Sequence, residues 1–260
     1  MPRSKRKGRN KNRMAKELQF EHVTRRFGEK TAVNDLCLSI GSGELFGLLG
    51  VNGAGKTTAI RMSCGLLRPT EGRILAGGRD AAGGSEEVRK MVNLSPQETA
   101  VAPNLTVCEN LQLMAGLYGL DSAQARGNVE RVISDFQLTE ILPSRAKTLS
   151  GGWQRRLSIA MALVTEPEIL FLDEPTLGLD VIARRQLWET IRSLKGRMTI
   201  VLTTHYLEEA EALCERIGIM ADGRLRALGT AEELKEKAGQ MDFEEAFIQL
   251  AGRGGADHEN

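Results

Sequence analysis

No apolar run in the 260 residues approaches the roughly 18 needed to cross a bilayer. The chain is therefore not expected to span a membrane, although it can sit against one. Cysteine is scarce and scattered: Cys37, Cys64, Cys108 and Cys214 form no C-x-x-C pair. That spacing fits reduced thiols in a cytosol better than a disulfide framework or a zinc site. Residues 1–16 contain no acid but hold eight of the 35 Lys and Arg side chains. The 27 that remain face 34 Asp and Glu, so the body carries a net charge of about −7. A negative body argues against a general nucleic-acid surface, and no stable nucleic-acid partner is expected.

The basic segment also lacks the apolar core of a secretory signal. Two readings stay open for it. One is a solvated, disordered extension, with Met14 as an alternative start. The other is attraction to an anionic membrane or to ribosomal RNA; each Lys or Arg near anionic lipid contributes about 1 kcal/mol. The length suffices for a large core, in one large domain or two lobes.

What is present centres on Gly50-Val51-Asn52-Gly53-Ala54-Gly55-Lys56-Thr57-Thr58. A glycine, four residues and then Gly-Lys-Thr is the phosphate-loop pattern. Phosphates need a ring of backbone N–H donors, and only a loop nearly free of Cβ atoms wraps that closely. Lys56 supplies a point charge to the outer phosphates, and the Thr57 hydroxyl is placed to bind Mg²⁺. The apolar run 44–49 before the loop reads as a buried strand. The run 58–67 after it reads as a helix stopped by Pro69. Strand, loop and helix in that order put an anion at a helix N-terminus.

Strands are also expected over 18–26, 32–40, 72–77 and 91–94. Phe27, in the turn between the first two, has by itself no claim to a ligand, and neither has Gln97 after Pro96. From about 98 to 148 the pattern turns helical, as Val107, Leu111, Met114 and Tyr118 show. A helix is expected over 153–165, with Ser150 as its N-cap. Ser150, Gly151 and Gly152 read equally well as a plain helix start or as a second phosphate site.

The run 168–172 is a buried strand ending in Asp173 and Glu174. In α/β sheets the ligand lies beyond the carboxyl ends of the strands. Asp173 can hold Mg²⁺ there, and Glu174 can orient a water and take its proton. Another buried strand, 198–204, ends at His205, which points to the same place. A hairpin around Asp222-Gly223 and helices over 230–238 and 242–251 close the chain.

With these pieces in order, residues 17–250 strongly resemble the ATP-binding cassette (ABC) ATPases. The motifs that carry the resemblance are the loop at 50–57, Gln97, Leu149-Ser150-Gly151-Gly152, Asp173-Glu174, Gly178-Leu179-Asp180 and His205. The resemblance implies an α/β phosphate-loop fold with a RecA-like core, an N-terminal antiparallel β subdomain and a helical subdomain inserted at about 98–148. The segments 1–16 and 251–260 would be tails.

It further implies ATP and Mg²⁺ as ligands. Phe27 would stack on adenine, although the family often has Tyr there. Lys56, Gln97, Glu174 and His205 would act in hydrolysis, with Thr57, Gln97 and Asp173 around the metal. Ser150, Gly151 and Gly152 would bind the γ-phosphate of ATP held by a second cassette, identical or not, and Asp180 would link the two sites. Val51 stands where proline is frequent, and Trp153 replaces the usual Gln or Met.

The stretch 203–212 and the short run after it resemble the drug, polysaccharide and Nod-factor exporter branch; importer ATPases often carry a longer regulatory C-terminal domain. A separately encoded membrane permease and a place on the cytoplasmic face of the membrane are then expected. A soluble ABC machine acting on ribosomes or DNA is the alternative, kept open by the basic tail.

Overall fold

The computed structural model describes residues 15–252. The tails expected over 1–16 and 251–260 lie outside it, apart from residues 15, 16, 251 and 252. Two sheets organise the described chain. The first is antiparallel, in the order β2-β1-β4-β5, from β1 (Leu18–Phe27), β2 (Lys30–Ile40), β4 (Glu71–Ala76) and β5 (Arg79–Asp80). The latter half of β2 alternates, with Leu36, Leu38 and Ile40 buried and Cys37 and Ser39 exposed. That period of two buries one face and leaves the other to solvent.

The second sheet runs β10-β9-β3-β8-β7-β6. Its strands are β3 (Leu45–Leu49), β6 (Val92–Ser95), β7 (Ile169–Asp173), β8 (Thr199–Thr204), β9 (Arg216–Ala221) and β10 (Arg224–Gly229). All neighbours are parallel except β10 on β9. Every residue of β3, β7 and β8 is buried, as strands covered on both faces must be. β9 and β10 join through Asp222-Gly223, with φ +51° and +74°. Positive φ at both turn positions is the type I′ geometry that suits a twisted hairpin.

Helix α1 (Lys56–Ser63) and the apolar faces of the two sheets share one core, with Phe20, Leu38, Phe46, Ile60 and Phe171 buried in it. A second core joins the other face of the parallel sheet to α3 (Val107–Leu117), α4 (Ser122–Asp135), α5 (Gly151–Leu163) and α6 (Val181–Ser193). A third packs α7 (Leu207–Leu213), α8 (Ala231–Ala238) and α9 (Phe243–Gly252) on β9. Among the described residues no helix is long and apolar enough to cross a membrane.

The structure departs from the sequence expectations in three places. Helix α1 ends at Ser63, not Leu67, because Gly65 takes φ +69°. The Leu66 and Gly65 amides then donate to the carbonyls of Arg61 and Met62, a Schellman closure that comes four residues before Pro69. A six-residue helix, α2 (Glu86–Met91), follows the glycine loop. The residues between Asp180 and the strand at 199 form α6, and those after His205 form α7; neither helix was anticipated.

Candidate nucleotide site

The loop expected to cradle phosphates joins β3 to α1. Two of its glycines are fixed by close approach. A Cβ at Gly50 would lie 2.4 Å from the Met220 carbonyl oxygen, and one at Gly55, with φ +103°, would lie 2.4 Å from that of Ala32. The β9–β10 hairpin braces the loop: the Gly223 amide donates to the Ala54 carbonyl at 3.2 Å, and the Asn34 amide to Gly223 at 2.8 Å. Gly55 is the N-cap of α1 and offers no side-chain acceptor to the helix's first amides. Those donors remain for an external anion.

A cavity of about 570 Å³ opens beside the loop. Residues 52–58, Phe27, Gln97 and Glu174 all line it, and Lys30 and Ala32 complete one wall. Phe27 is 46% exposed, with the Arg25 guanidinium 4.5 Å from the ring centroid. The exposed ring thus lines the cavity with the guanidinium over it.

Lys56 is buried at 6% exposure. Its Nζ donates to the Gly50 carbonyl at 2.6 Å and the Val51 carbonyl at 3.3 Å, and stands 3.4 Å from Glu174 Oε1. A buried cation is costly unless paired, and here its partners are loop carbonyls and one carboxylate. An added polyanion would give it a stronger one.

The carboxylates after β7 are positioned by β8. Asp173 pairs in register with Thr203. Thr203 Oγ1 donates to Asp173 Oδ1 at 2.5 Å, and Thr57 Oγ1 donates to the same oxygen at 3.2 Å. Glu174 takes φ +49°, rare for a residue with a Cβ. Its amide, held by Thr203 Oγ1 and the Thr203 carbonyl, both at 3.1 Å, over-determines that conformation. Its carboxylate accepts from His205 Nδ1 at 2.7 Å. Buried Lys56 and Glu174 and half-buried His205 thus form one chain of polar contacts.

The remaining expected residues lie elsewhere. Ser150 caps α5, accepting from the Trp153 amide at 3.5 Å, and neither it nor Gly151 or Gly152 lines the cavity. Asp180 caps α6, accepting from the Ile182 and Ala183 amides at 2.9 Å. Trp153 is half-buried, with the Arg156 guanidinium 5.0 Å from its ring centroid. Val51 is 56% exposed.

Sequence reasoning passed over two residues. Thr203 holds the Asp173 carboxylate and the Glu174 amide; with Thr199 and Thr204 as further threonines in the same buried strand, the sequence did not single it out. Buried Arg155, on α5, donates to the Pro96 carbonyl at 2.7 Å and to the Gln97 carbonyl. Burial lowers the guanidinium's pKa and the nearby Asp173 carboxylate raises it. Arg155 ties the helix that begins at Ser150 to the segment that carries Gln97.

A glycine loop at a helix N-terminus, a buried lysine and a strand-end carboxylate pair define a phosphate-loop nucleotide site. The comparisons with known proteins agree. The family profile described as ABC transporter matches residues 33–177. The chain is 42% identical over 240 residues to the daunorubicin resistance ATP-binding protein DrrA3 of Streptomyces coeruleorubidus, covering 92% of this chain and 76% of that protein. It is 42% identical over 218 residues to the Nod factor export ATP-binding protein I of Paraburkholderia xenovorans (strain LB400), covering 84% and 72%. The dimeric structure of MJ0796, a bacterial ABC transporter cassette, superposes with a TM-score of 0.72 at 26% identity, over 82% of this chain and 98% of that one. The chain belongs to the ABC transporter family and is one of its ATP-hydrolysing cassettes.

Proposed function

We propose that the chain powers export through a separate membrane subunit, by hydrolysing ATP in sites shared between two cassettes. The observation that carries the reading is the single cavity onto which Lys56, Glu174 and the donors of residues 52–58 converge. The relatives named for daunorubicin resistance and Nod factor export favour the exporter role. The relatives are named as ATP-binding proteins, which supports a separate permease, with the cassette at the cytoplasmic face of the membrane.

In this mechanism Phe27 stacks on the adenine. The amides of residues 52–58, with Gly50 allowing the close turn, wrap the phosphates. Lys56 shifts from the carbonyls of Gly50 and Val51 to the outer phosphates. Thr57 and Asp173 offer two adjacent oxygens and Gln97 an amide, an all-oxygen set that suits Mg²⁺. Bound there, the ion would neutralise charge on the phosphates. Glu174 accepts the proton of the attacking water, and His205 holds its carboxylate in place.

Ser150, Gly151 and Gly152 lie outside the cavity of their own chain, which supports a role on the nucleotide of a second cassette. Asp180, which caps α6, would link the two sites. Arg155 is a positioning residue that transmits movement of the Gln97 segment to α5. Closure around ATP and opening after hydrolysis would then drive the permease.

The test is Glu174→Gln in the full chain. Steady-state turnover should fall by about 10² to 10⁴, the usual contribution of a general base, with ATP affinity retained. Turnover within a few-fold of the wild type would remove Glu174 from the mechanism.

A further inference from the structure

The outer face of the antiparallel sheet carries a cluster that nucleotide chemistry does not use. His22 on β1 and Asp35 and Cys37 on β2 are all exposed. An imidazole nitrogen, a carboxylate oxygen and the thiol sulfur lie within 4.8 Å of one another. Nδ1 of His22 is 2.8 Å from Asp35 Oδ1 and 3.4 Å from Cys37 Sγ.

A surface His–Asp pair beside an idle thiol is the simpler explanation, but the backbone is arranged more deliberately than that needs. Asp35 and Cys37 are two apart on a strand and share a face. His22 joins them through a break in the β1–β2 register between Phe20 and Val23. Both His22 and Asp35 take left-handed backbone, φ +50° and +51°, which is uncommon for residues with a Cβ. Strand β4 presses on the bulge from the side: a Cβ at Gly72 would meet the His22 carbonyl oxygen at 2.1 Å and that of Glu21 at 2.4 Å. The bulge is therefore locked in the conformation that brings the three donors together.

The donor set is selective. Imidazole and thiolate favour zinc-class cations, whereas Mg²⁺ seeks oxygen. Bond lengths of about 2.0 Å to nitrogen and about 2.3 Å to sulfur at a tetrahedral angle separate the two donors by about 3.5 Å. The present separation is 3.4 Å. Nitrogen and oxygen would need about 3.3 Å, so the His22–Asp35 contact must open by about half an ångström. Exposed side chains can supply that.

We propose that His22, Asp35 and Cys37 form a binding site for one zinc-class divalent cation, with three protein ligands and a water completing the tetrahedron. Binding releases the Cys37 thiol proton. His22 ligates as neutral imidazole through Nδ1, keeping its proton on Nε2, and Asp35 ligates as carboxylate. The ion fastens β1 to β2. The scattered cysteines had argued against a zinc site, because the ligands come from two strands and one of them is an aspartate.

The test is titration of the full-length, chelator-treated, nucleotide-free protein with Co²⁺ as a spectroscopic probe, followed by Zn²⁺. One equivalent per chain should raise a thiolate-to-cobalt charge-transfer band, which Zn²⁺ then removes and excess Mg²⁺ does not. Cys37→Ser should abolish the band. His22→Ala should weaken Co²⁺ binding at least about tenfold. Both variants should keep wild-type ATPase activity, which shows that they fold. Absence of the band, a band that survives Cys37→Ser, or displacement by Mg²⁺ would overturn the proposal.

Discussion

Two helices of this chain begin beside glycines, and they end up with different work. Helix α1 starts at Gly55, has no side-chain cap, and opens its first amides to the cavity. Helix α5 starts after Ser150, whose hydroxyl takes the Trp153 amide, and its glycines lie away from that cavity. The first end is furnished by its own chain with a buried lysine and carboxylates. The second has donors but no counterpart within the chain. On our reading that difference is why one cassette holds only half a site.

The sharpest way to break the comparison is to disable the α1 end. Lys56→Ala should weaken ATP binding about a hundredfold, roughly 3 kcal/mol for lost charge-assisted hydrogen bonds. Titration with a fluorescent nucleotide measures it, and an unchanged affinity would contradict the proposed role. Disabling the α5 end should look different. Ser150→Glu puts a negative charge where a phosphate is proposed to dock from a second cassette. Turnover should fall about tenfold or more, while the affinity of an isolated chain for ATP stays unchanged. Equal loss in both assays would mean that both ends serve one nucleotide in one chain.

Arg155→Met tests the tie between the two ends. It leaves the Pro96 and Gln97 carbonyls unsatisfied, at about 1–3 kcal/mol. Turnover should drop a few-fold and the Tm by several degrees, with ATP affinity at the loop retained.

The smallest effect concerns Glu209, fully buried behind the site, which accepts from Trp188 Nε1 at 3.0 Å. Burial pushes its carboxyl pKa above the ordinary 4.5, against hydrogen bonds that lower it. A raised folded-state pKa contributes stability that is present below the unfolded value and lost as pH rises through the folded one. Glutamine does not titrate, so the Tm of Glu209→Gln relative to wild type should climb as pH rises above the ordinary 4.5, by roughly 2–4 °C for each kcal/mol. A constant difference would mean that Glu209 stays in one protonation state throughout.

The loop and the strand-end acids were the parts of the site most legible in sequence. Gly50, Gly55, Lys56 and Thr57 are constrained by backbone geometry and charge that few other residues meet. Asp173 and Glu174 announced themselves as acids closing an apolar strand. What the sequence hid depends on partners across the sheet. Thr203 matters because register sets it opposite Asp173, and Arg155 because α5 packs beside the strand that leads to Gln97.

Helix α6 escaped detection for a related reason. Val181 and Ile182 are exposed at its start, while Leu187 and Ile191 are its buried residues, so its apolar period is blurred. Helix α2 is too short to show a period. The early stop of α1 rested on Gly65 taking left-handed φ, a choice that Pro69 four residues later obscured.

The claim that two cassettes complete each site has one direct measurement. Glu174→Gln protein, with hydrolysis blocked, is examined by light scattering with and without ATP and Mg²⁺. The account predicts a monomer without nucleotide and a dimer with it, and a return to monomer when Ser150→Glu is added although each chain still binds ATP. A nucleotide-bound monomer, or a dimer indifferent to Ser150→Glu, would contradict it.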